Sequence, residues 1–176
     1  MSISSLSLRD LQSRVRDVPD FPKSGIIFKD ITPLLSEGNC FRQVVELLSD
    51  AVPKDTTKIA AIESRGFILG SAVAHHLQLG LTLIRKPGKL PGRTLSQGYE
   101  LEYGRDALQI HADALTPSDK VFIIDDVLAT GGTASAAEAL CLKAGALVTG
   151  FQFLIELVFL EGRMKLKAPA QSLFRY

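Results

Sequence analysis

Apolar residues recur along this chain with two different periods, which predicts helices and strands in alternation. An N-terminal stripe has apolar residues three or four positions apart, as on one face of a helix: Leu8, Leu11, Val15 and Val18. Ser7 followed by Asp10 resembles a capping arrangement that would start this helix, and Pro19 would end it.

Further helices and short apolar strands follow each other through the rest of the chain. Helices are predicted around the stripe of Phe41, Val44, Val45 and Leu48, and over residues 66–78 and 133–144. Strands are predicted over residues 59–62, 81–84, 121–124 and 148–155, with a loop over 86–98 and a hairpin of 99–103 and 107–111. This alternation indicates an α/β fold with a mostly parallel central sheet flanked by helices.

Three charged residues directly follow predicted strands: Glu63, Arg85 and Asp125. Parallel sheets bind their ligands beyond the carboxyl ends of the strands. We therefore expect these residues to converge at one edge of the sheet and to mark the ligand site.

Composition points to one domain without a strong global charge. A chain of 176 residues with a formal net charge of +1 can bury one core and has no general bias toward nucleic acid or an anionic membrane. Its longest apolar stretch, residues 151–160, contains Gln152 and Glu156 and is shorter than the ~20 residues of a spanning helix. Cys40 and Cys141 lack metal-binding spacing, so we expect buried thiols in a reducing compartment. The short apolar stretch and the lack of a signal pattern among the first residues lead us to expect a cytoplasmic protein.

Positive charge is concentrated in one loop rich in glycine and proline, which contains Arg85, Lys86, Lys89 and Arg93. Short basic runs are commonly no more than solvated loops. Because this loop directly follows a predicted strand, we favour an anion-binding role.

Residues 121–133 carry the strongest chemical signal. An apolar strand ends in Asp125 and Asp126, and a short turn then leads into a helix: Ala129, Thr130, Gly131, Gly132 and Thr133. Glycines let the backbone approach a ligand closely, the N–H groups at a helix start favour a phosphate, and the threonines add hydroxyl donors. The spacing matches neither of the common glycine-rich phosphate motifs, and an ordinary βα turn is the alternative interpretation.

The two carboxylates need a different partner, because a phosphate would repel them. Ribose offers vicinal hydroxyls, and Mg²⁺ takes oxygen ligands. Since side chains alternate along a strand, Asp125 and Asp126 should point in opposite directions rather than form one symmetrical metal clamp. The whole segment therefore predicts a site for a phosphorylated sugar.

This segment resembles the phosphoribosyl diphosphate signature of the type I phosphoribosyltransferases. Other segments resemble the adenine phosphoribosyltransferase family in particular: Asp20-Phe21-Pro22, Gly25-Ile26-Ile27-Phe28, Glu63-Ser64-Arg65-Gly66-Phe67, Gly88-Lys89-Leu90-Pro91-Gly92 and Leu101-Glu102-Tyr103-Gly104. The resemblance implies the type I phosphoribosyltransferase fold as one domain over residues 1–176. Within it, residues 1–35 would form a small hood, and about residues 86–111 a flexible loop and hairpin over the active site.

The resemblance also implies a reaction: adenine and 5-phospho-α-D-ribose 1-diphosphate give AMP and diphosphate, in purine salvage, with Mg²⁺ held mainly by the substrate. It assigns residues 129–133 to the 5-phosphate, Asp125 and Asp126 to the ribose hydroxyls, and five residues to the diphosphate: Ser64, Arg65, Arg85, Lys86 and Lys89. In this family the peptide between Glu63 and Ser64 is often cis. The resemblance further implies a homodimer, in which Arg85 could reach the neighbour's diphosphate site.

Adenine would lie under residues 25–30 by the same resemblance. The backbone of Ile27 would read its Watson–Crick edge, Phe28 would stack on it, and Leu128 would pack on the other side. Without the resemblance, this run is more often a plain core strand. Lys29 stands where relatives often have an arginine.

Glu102, in the predicted hairpin, is the candidate catalytic residue that handles the purine proton, and Tyr103 beside it would pack on the closed site. A solvated acid on a hairpin is the alternative. Two other functions stay open: a phosphoribosyltransferase for another base, and a non-catalytic regulator that senses phosphoribosyl diphosphate. A regulator would usually carry an added nucleic-acid module, for which this chain has no room, so an enzyme is favoured.

Overall fold

The structure is a computed structural model that describes residues 6–101 and 104–176. The chain divides into two compact units, Met1–Leu47 and Leu48–Tyr176. No helix among the described residues is both long and apolar enough to span a bilayer.

The first unit contains a short helix, an antiparallel strand pair, a second helix and most of a third, which ends in the second unit: α1 (Leu8–Gln12), β1 (Arg16–Pro19), β2 (Ile27–Asp30), α2 (Thr32–Ser36) and α3 (Gly38–Asp50). The predicted start of α1 is confirmed, because the Ser7 side chain accepts a hydrogen bond from the Asp10 N–H and the Asp10 carboxylate accepts one from the Ser7 N–H. The predicted helix around Val44 is confirmed as α3.

The N-terminal helix is shorter than predicted. It ends at Gln12, and the chain continues as β1, in which Val18 pairs with Phe28 of β2. A spacing of three and four residues also fits one helical turn followed by a strand. Only the pairing with β2 distinguishes the two, and that pairing cannot be read from local spacing.

The second unit alternates strands and helices as predicted: β3 (Lys58–Ile62), α4 (Arg65–Leu77), β4 (Gly80–Ile84), β5 (Thr94–Leu101), β6 (Gly104–His111), β7 (Lys120–Leu128), α5 (Gly132–Lys143), β8 (Leu147–Glu156) and β9 (Ala170–Arg175). Five strands form a parallel sheet in the order β4-β3-β7-β8-β9. This confirms the α/β class with a parallel central sheet. Strand β9 lies after the last element that the sequence predicted.

Helices cover both faces of this sheet. α4 lies against the face that carries Ala61, and a Cβ on Gly70 would stand only 2.6 Å from the Ala61 Cβ, so glycine permits the close approach. The neighbouring residues Ala60 and Ile62 face the opposite way and share a core with Leu140 of α5. Both cysteines are buried and unpaired, as predicted.

A hairpin of β5 and β6 follows the basic loop. Its antiparallel register runs from the Thr94–His111 pair to the Leu101–Gly104 pair, which confirms the predicted hairpin. The predicted loop over residues 86–98 is wrong from Thr94 onward, because pairing with β6 satisfies that backbone as strand. Glu102 and Tyr103 lie outside the described residues.

Candidate active site

A cavity of about 310 Å³ lies at the carboxyl ends of β3 and β7. It is lined by Glu63, Ser64, Arg65 and the continuous run of residues 125–134. The peptide between Glu63 and Ser64 is cis, as the family resemblance suggested. The predicted convergence of charged residues at this edge of the sheet is therefore confirmed for Glu63 and Asp125.

Arg85 reaches the same edge through Glu63. Its Nε donates to Glu63 Oε2 at 2.7 Å, and its Nη1 donates to the carbonyl oxygen of Lys89 at 3.0 Å. Its guanidinium carbon also lies 5.7 Å from the centre of the Phe67 ring. These contacts hold the Arg85 cation beside the cavity in a defined orientation.

The two aspartates continue β7 beyond the predicted strand end, and both are buried. Asp126 Oδ2 forms an ion pair with Arg65 Nη2 at 2.7 Å. Asp125 Oδ1 accepts the Asp126 N–H at 2.8 Å. It also faces α4, since a Cβ on Gly66 would stand 2.5 Å from this oxygen. The carboxylates therefore have different surroundings, as the alternation of side chains predicted.

Their protonation differs for the same reason. Burial raises the pKa of Asp125 well above its usual range, and the neighbouring charge of Asp126 raises it further. Burial also raises the pKa of Asp126, but the positive charge of Arg65 opposes this effect. Because Arg65 compensates mainly Asp126, a proton bound by the pair resides on Asp125.

The glycine turn, residues 129–133, leads into α5, whose first N–H groups lie beside the cavity. Gly131 is the N-cap residue and has a φ of 78°, a left-handed conformation that favours glycine. Among the described residues, no side chain caps this helix start. The positive end of the helix and the N–H groups of its first turn can therefore serve an anionic ligand.

One residue of this site was missed in the sequence: Gly162, in a short 3-10 helix (Gly162–Lys165) that follows β8. A Cβ on Gly162 would run into the carbonyl oxygen of Ala129 and would lie 2.8 Å from the Gly131 nitrogen. The backbone of Gly162 thus forms the support of the glycine turn. A single glycine beyond the last predicted strand carries no local signal of this contact.

The rest of the predicted basic loop lies outside the cavity lining. Lys86 Nζ forms an ion pair with Asp106 Oδ2 of β6 at 3.0 Å, and a hydrogen bond to this carboxylate raises the Lys86 pKa. Lys89 is exposed. Of the residues predicted for diphosphate, the structure brings Ser64 and Arg65 into the lining and Arg85 to its edge.

The residues predicted for adenine belong to different units. Leu128 is buried and lines the cavity in the second unit. In the first unit, Ile27 is 57% exposed. The alternative interpretation of this run as a plain core strand is therefore wrong. Phe28 packs edge-to-face on Phe21, with 5.1 Å between the ring centres, and Lys29 pairs with Asp17 at 2.7 Å. A role of Ile27 and Phe28 toward adenine stays a prediction.

Comparisons with known proteins agree on one family. Residues 34–162 match the model of the phosphoribosyl transferase domain. The chain is 57% identical over 162 residues to an adenine phosphoribosyltransferase from Synechococcus sp. (strain JA-3-3Ab), over 91% of this chain and 92% of the relative.

Solved structures give the same result. The adenine phosphoribosyltransferase from Rhodothermus marinus has a TM-score of 0.92 and 48% identity, over 96% of this chain and 98% of that chain. The Saccharomyces cerevisiae enzyme, complexed with D-2,5-dideoxy-2,5-imino-altritol 1,6-bisphosphate and adenine, has a TM-score of 0.90 and 37% identity, over 94% and 97%.

Proposed function

The chain belongs to the adenine phosphoribosyltransferases of the phosphoribosyl transferase family, and we propose that the cavity at the ends of β3 and β7 is where it carries out their reaction. In that reaction adenine and 5-phospho-α-D-ribose 1-diphosphate give AMP and diphosphate. One observation carries the assignment: the cavity combines the uncapped start of α5 with two buried carboxylates and Arg65. These groups suit a phosphate, ribose hydroxyls and a diphosphate, respectively.

The 5-phosphate binds at residues 129–133. The left-handed backbone of Gly131 and the first turn of α5 supply N–H groups, and Thr130 and Thr133 supply hydroxyls. No negatively charged side chain belongs to this turn. Phosphate therefore avoids the repulsion that it would meet at the neighbouring aspartates.

Asp125 and Asp126 bind the ribose hydroxyls. A carboxyl oxygen accepts hydrogen bonds from hydroxyl groups, and both aspartates line the cavity. Arg65, already paired with Asp126, links this ribose subsite to the diphosphate side.

The diphosphate binds near Ser64 and Arg65, where α4 begins, and Arg85 adds a second fixed positive charge. In the displacement, the purine nitrogen forms a bond to the anomeric carbon while the bond to the diphosphate oxygen breaks. Positive charge beside the departing oxygen stabilises the negative charge that develops there. Lys86 and Lys89 extend this positive region along the loop.

Mg²⁺ fits the cavity as a metal carried by the substrate. Within residues 6–101 and 104–176, no group of three or more His, Cys, Asp or Glu side chains could hold a metal ion. Asp125 and Asp126 are among the carboxylates of the cavity lining, whose oxygens suit a hard cation, and substrate oxygens and water would complete its coordination. When bound, the ion would help to neutralise the charge of the diphosphate.

The family resemblance implies that Leu128 packs on adenine, that the Ile27 backbone reads its Watson–Crick edge and that Phe28 stacks on it. Glu102 then accepts or relays the proton that the imidazole ring of adenine loses, and Tyr103 packs beside it. Support for these five roles comes from the resemblance, and Leu128 also lines the cavity.

The physiological setting that we propose is purine salvage in the cytoplasm by a homodimer. Two buried free cysteines fit a reducing compartment. Exposed apolar side chains on the edge strand β4, Leu81 at 39% and Leu83 at 37%, fit a surface covered by a second subunit. Sedimentation at assay concentration tests the assembly, and a fully active monomer would refute it.

The function is tested by assaying adenine, hypoxanthine, guanine, xanthine and orotate separately with phosphoribosyl diphosphate and Mg²⁺. We expect turnover of adenine and poor turnover of the others, because a site that pairs with the 6-amino group of adenine rejects bases that lack this group by up to ~10⁴-fold. A comparable kcat/KM for hypoxanthine would overturn the adenine assignment. Binding of phosphoribosyl diphosphate without turnover of any base would identify a regulator.

A further inference from the structure

An ion pair between a buried carboxylate and an arginine whose side chain is 40% exposed lies behind the glycine turn, in the part of the chain that follows β8. Glu156, the last residue of β8, is 4% exposed. Arg163 donates two hydrogen bonds to its carboxylate: Nε lies 3.0 Å from Oε1 and Nη2 lies 2.5 Å from Oε2. Such a two-pronged contact fixes both the distance and the plane of the guanidinium.

Arg163 also joins β9 to this pair. Its Nη1 donates to the carbonyl oxygen of Ala170, and its Nη2 lies 3.4 Å from the hydroxyl of Ser172. The Ser172 hydroxyl donates to Glu156 Oε2 at 3.0 Å. Because these contacts come from β8 and β9, the Arg163 side chain cannot shift without disturbing the sheet edge.

The residue before Arg163 is Gly162, whose backbone supports the glycine turn. A Cβ on Gly131 would come within 2.9 Å of the Gly162 carbonyl carbon and 3.0 Å of its Cα. The segment that connects β8 to Gly162 is also held at its start, since the Leu157 N–H donates to the carbonyl oxygen of Leu128 at 2.9 Å. This segment is therefore hydrogen-bonded to β7 at its start and fixed at its end by the contacts of Arg163.

We propose that Arg163 is a positioning residue for the 5-phosphate: by gripping Glu156 it holds Gly162 against Gly131 and sets the curvature of residues 129–133. The inference rests on the proposed function, which gives this turn to the phosphate. N–H groups bind an anion tightly only when they already converge on it, because ordering them during binding costs free energy.

A guanidinium suits this role better than an ammonium group would. Its planar fork matches the two carboxylate oxygens and still leaves a donor for the Ala170 carbonyl. A lysine would keep the positive charge but would lose the fixed plane. The variant Arg163→Lys therefore separates positioning from simple charge compensation.

The experiment compares AMP with adenosine, which differ only in the 5-phosphate. Dissociation constants of both ligands are measured by competition for the wild type, Arg163→Lys, Arg163→Met and the matched control Arg175→Met. Arg175 approaches the same Glu156 oxygen at 3.6 Å, but its side chain is 63% exposed. Thermal melting of each variant reports whether it is folded. If Arg163→Met is not folded, the comparison of Arg163→Lys with the wild type is the test.

We expect Arg163→Lys and Arg163→Met to weaken AMP binding by roughly ten-fold to a hundred-fold, the loss typical when a residue that orients the ligands of a bound metal is replaced. Adenosine should bind these variants as it binds the wild type, and Arg175→Met should leave both ligands unchanged. Equal weakening of AMP and adenosine would overturn the proposal, because it would indicate a general structural role. Unchanged AMP affinity in Arg163→Lys would overturn it too.

The phosphate site and the positioning role fail in different ways. If the wild type binds AMP no more tightly than adenosine, the assignment of the turn to the 5-phosphate is wrong, and with it the proposed site. If the wild type prefers AMP and the Arg163 variants keep that preference, only the positioning role is wrong.

Discussion

Gly131 and Gly162 pack backbone against backbone, with no room for a side chain on either residue. A Cβ on Gly131 would run into the carbonyl oxygen of Gly162, and a Cβ on Gly162 would run into that of Ala129. Because the atoms in the way are backbone atoms, they cannot swing aside as the end of a flexible side chain could. The glycine turn and the segment after β8 therefore form one structural unit, although they are far apart in the sequence.

Gly131→Ala should weaken both the fold and AMP binding. The new methyl meets the Gly162 backbone, and φ at this position is 78°, so strain adds to the clash. Overpacking of this kind costs about 1–3 kcal/mol. Urea denaturation and calorimetry with AMP measure the two effects. Gly38→Ala is the control, since no atom of the described residues would lie within 4 Å of its new methyl group, and equal behaviour of the two variants would contradict the prediction.

Arg65→Met should destabilise the protein and raise the KM for phosphoribosyl diphosphate. It leaves the buried Asp126 carboxylate without its 2.7 Å partner. Removing one member of a fully buried pair costs about 3–5 kcal/mol, and we expect less here because Arg65 is partly exposed. Arg42→Met breaks an exposed pair with Glu46 within α3 and should cost only about 0.3–0.5 kcal/mol. Matching denaturation midpoints for the two variants would show that Asp126 does not depend on Arg65.

Asp125→Asn should stabilise the ligand-free protein at neutral pH while it reduces activity. Burial raises the pKa of Asp125 in the folded state, so the folded protein keeps a proton that the unfolded chain releases above about pH 4. The wild type therefore loses stability as pH rises from about 4 through the folded-state pKa, and each pH unit in this range costs about 1.4 kcal/mol. Asparagine does not titrate and avoids this loss.

Thermal melting across this pH range measures the difference between Asp125→Asn and the wild type. It should grow as pH rises and vanish in acid. Asp50→Asn, at the exposed end of α3, is the control for removing one negative charge. A difference between Asp125→Asn and the wild type that stays constant with pH would show that titration of Asp125 is not its source.

Glu102→Gln should lower kcat by ~10²–10⁴-fold, the usual contribution of a general acid–base group. Glutamine keeps the size and polarity of the side chain but cannot exchange a proton at neutral pH. Affinity for phosphoribosyl diphosphate should change little, and Glu102→Ala should be at least as severe. Glu100→Gln in β5 is the neighbouring control. If Glu102→Gln keeps the wild-type kcat under conditions where chemistry limits turnover, Glu102 is not catalytic, and the alternative of a solvated acid on the hairpin is correct.

Local sequence was sufficient for four of the five strands of the sheet, all but β9, and for the chemistry of residues 125–133. The runs of β3 and β7 are apolar because both faces of these strands are buried, and a buried strand needs no distant information to be recognised. The aspartates, glycines and threonines all lie within residues 125–133. Their types and order already require a place where a strand ends and a helix begins.

Local sequence failed where a distant partner decides the conformation. Val18 fits a helical stripe but pairs with Phe28, and Thr94 belongs to a strand because it pairs with His111. The tertiary structure alone brings Gly162 under Gly131, Arg65 to Asp126 and Arg163 to Glu156. The residue types of the site are thus written in one short segment. Its curvature and its protonation depend on residues from elsewhere in the chain, because backbone contact and burial arise only when the sheet has assembled.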